Sequence, residues 1–264
     1  MNVIKGTVKV GDGELPYFTF GEGEKICVII PGMSLKPVAD SAEAVAERYR
    51  VFGNDYKIYV FDRRADLNAE NSTVANMTYE LTLAMKELGI SDAYIIGVSQ
   101  GGMMAQFMAA EYPEFVKKAV IASSLAKHNS VSTALFGRWR DLAFGNKPEI
   151  LVDDIFKNLY SKEVYNKSRD TAEILAKSCT QEELKRFGYL SDACFKFDFF
   201  EELKKIKCPV FVIGAENDKV MAAKGSYEIA DRLGCEIYMY RGCPHAVYDE
   251  VEDYVERIMN FFEK

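Results

Sequence analysis

Histidine is scarce in this chain of 264 residues, which has two, His128 and His245. Any reaction that needs an imidazole base must use one of them. With two distant histidines and neither HExxH nor CxxC, a transition-metal site has no obvious ligand set. No metal and no cofactor is therefore expected. The six cysteines, Cys27, Cys179, Cys194, Cys208, Cys235 and Cys243, show no paired spacing. In a chain this long that pattern reads as core and surface thiols. Basic runs with interleaved aromatics are also missing, and the formal net charge is -7. An acidic surface repels phosphate backbones, which argues against nucleic acid as a partner. No apolar run approaches the roughly 20 residues that span a bilayer. The opening stretch MNVIKGTVKVGDGELPYF has no charged start, apolar core and small-residue cleavage site, so no signal peptide is expected. These absences point to a soluble, cytoplasmic protein without a membrane span, acting on a small molecule. Internal repeats and low-complexity tracts are lacking as well.

What is present is a core. Residues of apolar type make up 48% of the chain, enough for one large domain or a domain carrying an insertion. Strand-like runs recur as NVIKGTVKV, LPYFTF, KICVIIPG, YKIYVFD, AYIIGV and KKAVIASS. Between them the spacing predicts helices over about 38–49 and 73–88, and one that Pro113 stops. From 126 to 207 the strand signals vanish and the chain turns charged, helical and aromatic. The alternation then returns with CPVFVIGAEND, a helix near 225–233, CEIYMYRG and a final helix with Val251, Tyr254, Val255, Ile258 and Phe262 on one face. Strands alternating with helices predict a mainly parallel sheet covered on both faces. The expected organisation is an α/β core of 1–125 and 208–264 with a helical insertion at 126–207. In such sheets ligands bind beyond the carboxyl ends of the strands.

Three strand ends carry candidate chemistry. Gly97-Val98-Ser99-Gln100-Gly101 fits G-x-S-x-G with a strand before it and a helix after it. A serine in that turn must adopt a strained backbone that lifts its Oγ clear, and small residues on either side make room. The helix N-terminus offers free N–H groups to a developing negative charge. Serine is a poor nucleophile without a base. His245, in YRGCPHAVYDE after the last strand, is the candidate; His128 reads as a solvated loop residue. The base needs a carboxylate to hold its tautomer. VFVIGAENDKV supplies Glu216 and Asp218 directly after a strand, with Asp218 preferred and Glu216 left open.

The elbow GVSQGG, the turns GAENDKV and GCPHAVYDE, and PGMS after an early strand together resemble the α/β-hydrolase family. The resemblance spans nearly the whole chain and implies that the insertion is a lid. It also implies an oxyanion hole made by the backbone N–H groups of Met33 and Gln100. The family's D-x-R-G-x-G appears only in part, as Asp62-Arg63-Arg64-Ala65-Asp66-Leu67, which implies a rebuilt loop. Relatives that resemble this chain in fold but use an elbow aspartate, the dehalogenases and epoxide hydrolases, are disfavoured by Ser99. Carboxylic-ester hydrolysis is the expected activity, with amidase or iminopeptidase, thioesterase, carbon–carbon hydrolase and cofactor-free perhydrolase as alternatives of the same machinery. A non-catalytic ligand-binding relative is the alternative of another class. Phe136 and Trp139 either line a pocket for an apolar substrate portion or form the insertion's own core. The outer face of the insertion offers a surface for a homodimer.

Overall fold

The computed structural model describes residues 2–264. Eight strands form one sheet in the order β1 (Ile4–Val10), β2 (Gly13–Phe20), β4 (Tyr56–Phe61), β3 (Lys25–Ile30), β5 (Ala93–Val98), β6 (Val116–Ala122), β7 (Val210–Ala215), β8 (Glu236–Tyr240). The β1–β2 and β2–β4 pairs are antiparallel. From β4 onward every pair is parallel. The helices that cross between strands are α1 (Ala42–Arg48), α2 (Val74–Glu87) and α3 (Gln100–Glu111) in the first half. Between β6 and β7 lie α4 (Ser130–Phe144), α5 (Pro148–Leu159), α6 (Lys162–Lys167), α7 (Arg169–Ser178) and α8 (Gln181–Phe195). α9 (Ala223–Leu233), α10 (Val247–Glu250) and α11 (Tyr254–Glu263) complete the chain.

Successive strand residues point to opposite faces, and both faces here are apolar. One face sends Val28, Ile30, Ile95, Ile121 and Val212 into a core with Met77 and Leu81 of α2 and Met103, Met104 and Met108 of α3. The other sends Cys27, Ile29, Ile58, Ile96 and Ile213 against Ala42 and Ala46 of α1 and Tyr254, Ile258 and Phe262 of α11. A parallel sheet covered twice in this way reads in sequence as continuous apolar runs, as these strands do. Phe136, Trp139, Phe187 and Leu190, from α4 and α8, belong to the first core. The helices between β6 and β7 thus continue the core of the sheet instead of forming a separate small one.

Local chemistry sets the helix starts. Thr73 caps α2 by accepting the Asn76 N–H, and capping boxes open α4 (Asn129 with Ser132) and α8 (Thr180 with Glu183); each cap of this kind stabilises by about 1 kcal/mol. Two expected boundaries shift. The stretch expected as a helix over 38–49 is a 3-10 turn, Val38–Ser41, followed by α1. Ser41, at φ -106 and ψ 15, interrupts the regular helix, and Asp62 Oδ2 takes the Val38 N–H at 2.9 Å. Val251 precedes α11 instead of sitting on its face. No helix among the described residues is long and apolar enough to cross a membrane.

Candidate active site

Ser99 stands between β5 and α3 with φ 55 and ψ -118. Positive φ at a non-glycine residue costs on the order of 1–3 kcal/mol and persists only where the surroundings impose it. Here the Ser99 N–H donates to Ala122 O at 2.8 Å. Its carbonyl accepts from Gly102 N (2.9 Å) and from the Ser124 hydroxyl (2.8 Å). The flanking glycines are required by contact. A Cβ on Gly97 would lie 2.6 Å from Ala105 Cβ. One on Gly101 would lie 2.7 Å from Pro31 O and closer still to the Ile30 carbonyl. The turn is therefore clamped between β3, β6 and α3.

His245 and Asp218 come from the turns after β8 and β7. The His245 Nδ1–H donates to Asp218 Oδ2 at 2.8 Å, with both side chains buried. A carboxylate only accepts, so this bond places the proton on Nδ1 and leaves Nε2 as the acceptor. Asp218 Oδ1 is held by the N–H groups of Val220 (2.7 Å) and Met221 (2.9 Å), which aims Oδ2 at the ring. Glu216 points outward and is exposed. The Ser123 hydroxyl donates to His245 O at 2.9 Å, and the Ala246 N–H donates to Leu159 O at 3.0 Å. The histidine loop is thus tied both to β6 and to the end of α5.

Ser99 and His245 line one cavity of about 470 Å³. Among the described residues no hydrogen bond joins them; such bonds are often long in ligand-free enzymes and tighten with substrate. Met33 lies on the same wall. Gln100 is fully buried behind Ser99, and its side-chain Nε2 donates to Leu190 O at 2.8 Å. The backbone N–H groups of Met33 and of Gln100, the first residue of α3, have no partner among the described residues. Phe136 and Trp139 are buried and also face the cavity; they pack in the core shared with the sheet and not in a core of the insertion's own. His128 lies elsewhere, its Nδ1 bonded to Phe197 O at 3.3 Å.

Several neighbours of the site escape the sequence patterns. Asp62 Oδ1 accepts from Arg186 Nη2 of α8 at 2.6 Å and from its neighbour's Arg63 N–H at 2.7 Å. Arg63 is itself buried, and burial pulls its guanidinium down to about 10 despite the nearby Asp62. Arg64 is also buried and pairs with Asp66, Glu80 and Asp12. Cys194, beneath Met33, has its thiol pushed up to about 12 by burial, which leaves it un-ionised and inert as a nucleophile. Asp249, Tyr160 and Tyr248 line the cavity near His245. No cluster of three metal-ligating side chains forms among the described residues.

A family model described as the alpha/beta hydrolase fold matches residues 30–251. Among curated proteins, a serine hydrolase named BPHL from Mus musculus is 26% identical over 145 residues. That match covers 53% of this chain and 50% of the mouse protein, so the chain spans about half the length of this relative. The 3-oxoadipate enol-lactonase 2 of Acinetobacter baylyi is 21% identical over 234 residues, 85% of this chain and 84% of that one. Among solved structures, MGS-M2, an alpha/beta hydrolase enzyme from a deep-sea metagenome library, superposes with a TM-score of 0.88 at 22% identity over 98% of both chains.

Proposed function

The chain belongs to the alpha/beta hydrolase family, and from that premise we propose that it is a serine hydrolase working through Ser99, His245 and Asp218 on a carboxylic ester. The observation that carries this reading is the buried 2.8 Å bond from His245 Nδ1 to Asp218, on a ring that shares its cavity with a strained, cavity-facing serine. In the reaction His245 Nε2 takes the Ser99 Oγ proton as Oγ bonds to the substrate carbonyl carbon. The carbonyl electrons move to its oxygen, which the Met33 and Gln100 N–H groups stabilise. The oxyanion collapses, the carbon–oxygen bond to the leaving group breaks, and His245 returns the proton to the departing alkoxide. Water, activated by the same ring, repeats the sequence and frees the acid. An ester is favoured because it has the better leaving group and the triad needs no further device. A lactone, named in one relative, is a cyclic ester. The helices of 126–207 act in this reading as the lid that shapes the cavity.

Fluorophosphonate labelling and p-nitrophenyl ester hydrolysis test the assignment. Ser99→Ala is expected to abolish labelling, and His245→Ala and Asp218→Asn to lower kcat by about 10³-fold or more. Full turnover in Ser99→Ala, or normal labelling in His245→Ala, refutes it. A folded wild type that neither labels nor turns over any ester would support the ligand-binding alternative.

A further inference from the structure

The cavity beside His245 carries a carboxylate that the reaction does not use. Asp249, on α10, lines it together with Tyr160. The Tyr160 hydroxyl donates to Asp249 Oδ2 at 3.1 Å. No ion pair reaches Asp249 among the described residues. Arg48, whose charge acts on it, spends Nε and Nη2 on the carbonyls of Tyr248 and Val251. The one lysine of the wall, Lys36, is already matched: Nζ bonds Glu183 Oε2 at 2.7 Å and Ser178 O at 2.6 Å. Asp40, at the exposed edge of the same wall, adds a second carboxylate and no cation. Much of the remaining wall is apolar or aromatic, with Phe136, Trp139, Ile155 and Phe156. Desolvation by the surrounding protein raises the Asp249 pKa, while the Tyr160 hydrogen bond and the charges of Arg48 and His245 work against that rise. Asp249 is itself open to the solvent of the cavity, and a cation brought to it gains a charge-assisted hydrogen bond and offsets the cost of desolvation.

We propose that Asp249, oriented by the Tyr160 hydroxyl, is a subsite for a protonated amine that the substrate carries next to an apolar or aromatic group. The word substrate rests on the reading of Ser99 as nucleophile; the binding preference does not. The subsite selects cations over neutral isosteres and repels carboxylates, because Asp40 and Asp249 outnumber a lysine that is already paired.

Calorimetric titration with three probes of similar shape tests it: 2-phenylethylamine, 2-phenylethanol and 3-phenylpropionate, each against wild type, Asp249→Asn and Tyr160→Phe. Asn at 249 keeps an oxygen for the Tyr160 hydroxyl while removing the charge. Wild type is expected to bind the amine at least about tenfold more tightly than the alcohol and to bind the propionate least. Asp249→Asn should bring the amine-to-alcohol ratio close to one, and Tyr160→Phe should lower it less. Equal affinity for amine and alcohol, no amine binding at millimolar concentration, or the same loss for all three probes in Asp249→Asn overturns the proposal. The last outcome would make Asp249 a structural clasp. Repeating the titration in Ser99→Ala separates the two readings, since the amine preference needs no turnover.

Discussion

Replacing Arg63 with Met is expected to stabilise the protein while slowing its reaction. Burial brings the guanidinium from 12.5 down to about 10, so holding it charged costs about 3 kcal/mol. Its Nε and Nη2 have no partner among the described residues. Only Nη1 is engaged, by a long bond to Gly32 O at 3.4 Å, worth about 1 kcal/mol at most. Asp62 does not depend on it, because Arg186 and the Val38 and Arg63 N–H groups satisfy that carboxylate. Methionine fills a similar volume, so the balance is a gain of about 2 kcal/mol, in line with other isosteric replacements of buried charge. Activity should move the other way. Gly32 O and Met33 N–H belong to one peptide, and a cation on its oxygen fixes its plane and strengthens its N–H as a donor. Without Arg63 that donor is less well aimed, and fluorophosphonate labelling of Ser99 should slow by about tenfold, a fraction of the loss from deleting a whole oxyanion donor. Urea unfolding followed by the fluorescence of Trp139, the sole tryptophan, measures the first effect; labelling kinetics measure the second. A loss of more than 1 kcal/mol, about the value of one hydrogen bond, would refute the charge argument. Unchanged labelling would refute the peptide argument.

Two further substitutions probe the same wall. Arg186→Met should do the opposite of Arg63→Met and destabilise by about 3 kcal/mol in urea unfolding, because Arg186 bonds Asp62, Arg63 O, Arg64 O and Ser34 O and engages all three of its nitrogens; equal effects of the two variants would contradict it. Gly101→Ala places a methyl against the end of β3 and should cost about 3 kcal/mol and most of the labelling rate, since relief requires α3 to move away from the loop that carries Met33; a fully labelled, fully stable variant would show that the elbow has slack.

The parts of the site that sequence patterns reveal are those whose causes are local. Gly97 and Gly101 are explained by a clash inside one strand–turn–helix unit and with the strand beside it, so five residues suffice to flag Ser99. His245 and Asp218 stand in turns directly after strands, where the topology of the sheet tells one to look. The choice between Glu216 and Asp218 is not available there, because two residues of the same type share one turn. The Val220 and Met221 N–H groups fix one oxygen of Asp218 and turn the other toward His245, which favours Asp218 in the proposed triad. Asp249 and Arg63 are invisible for a different reason. The partner of Asp249 is Tyr160, 89 residues earlier. Asp62, beside Arg63, is matched by Arg186, 124 residues later. Each looks in sequence like an ordinary surface charge, and only packing gives it a place. The break at Ser41 fails to show because the apolar spacing continues through it.

The helices between β6 and β7 are bound to the site at each of its working parts. The Arg186 guanidinium of α8 holds Asp62, which in turn holds Val38 at the end of the Met33 loop. Leu190 O of α8 takes the side chain of Gln100, next to Ser99. Asn129, at the start of α4, donates through Nδ2 to Met221 O at 2.8 Å, and Met221 is one of the two residues that fix Asp218. Leu159 O and Ser161 N, between α5 and α6, bond Ala246 N (3.0 Å) and Glu250 Oε1 (2.8 Å) on either side of the turn that follows His245. Swinging these helices away as one rigid flap would break a hydrogen bond to every segment that carries a site residue, several of them buried and so costly to leave unmade. The exposed part of the cavity wall is Pro37, Asp40, Ser41 and Asp249, and at Pro37, Asp40 and Ser41 no such bond to α4–α8 has to break. In the proposed reaction the same bonds make the helices shape the cavity and align Ser99, His245 and Asp218 together, so exchanging the helices is expected to preserve turnover only if the contacts at Asp62, Gln100, Met221 and Ala246 are kept.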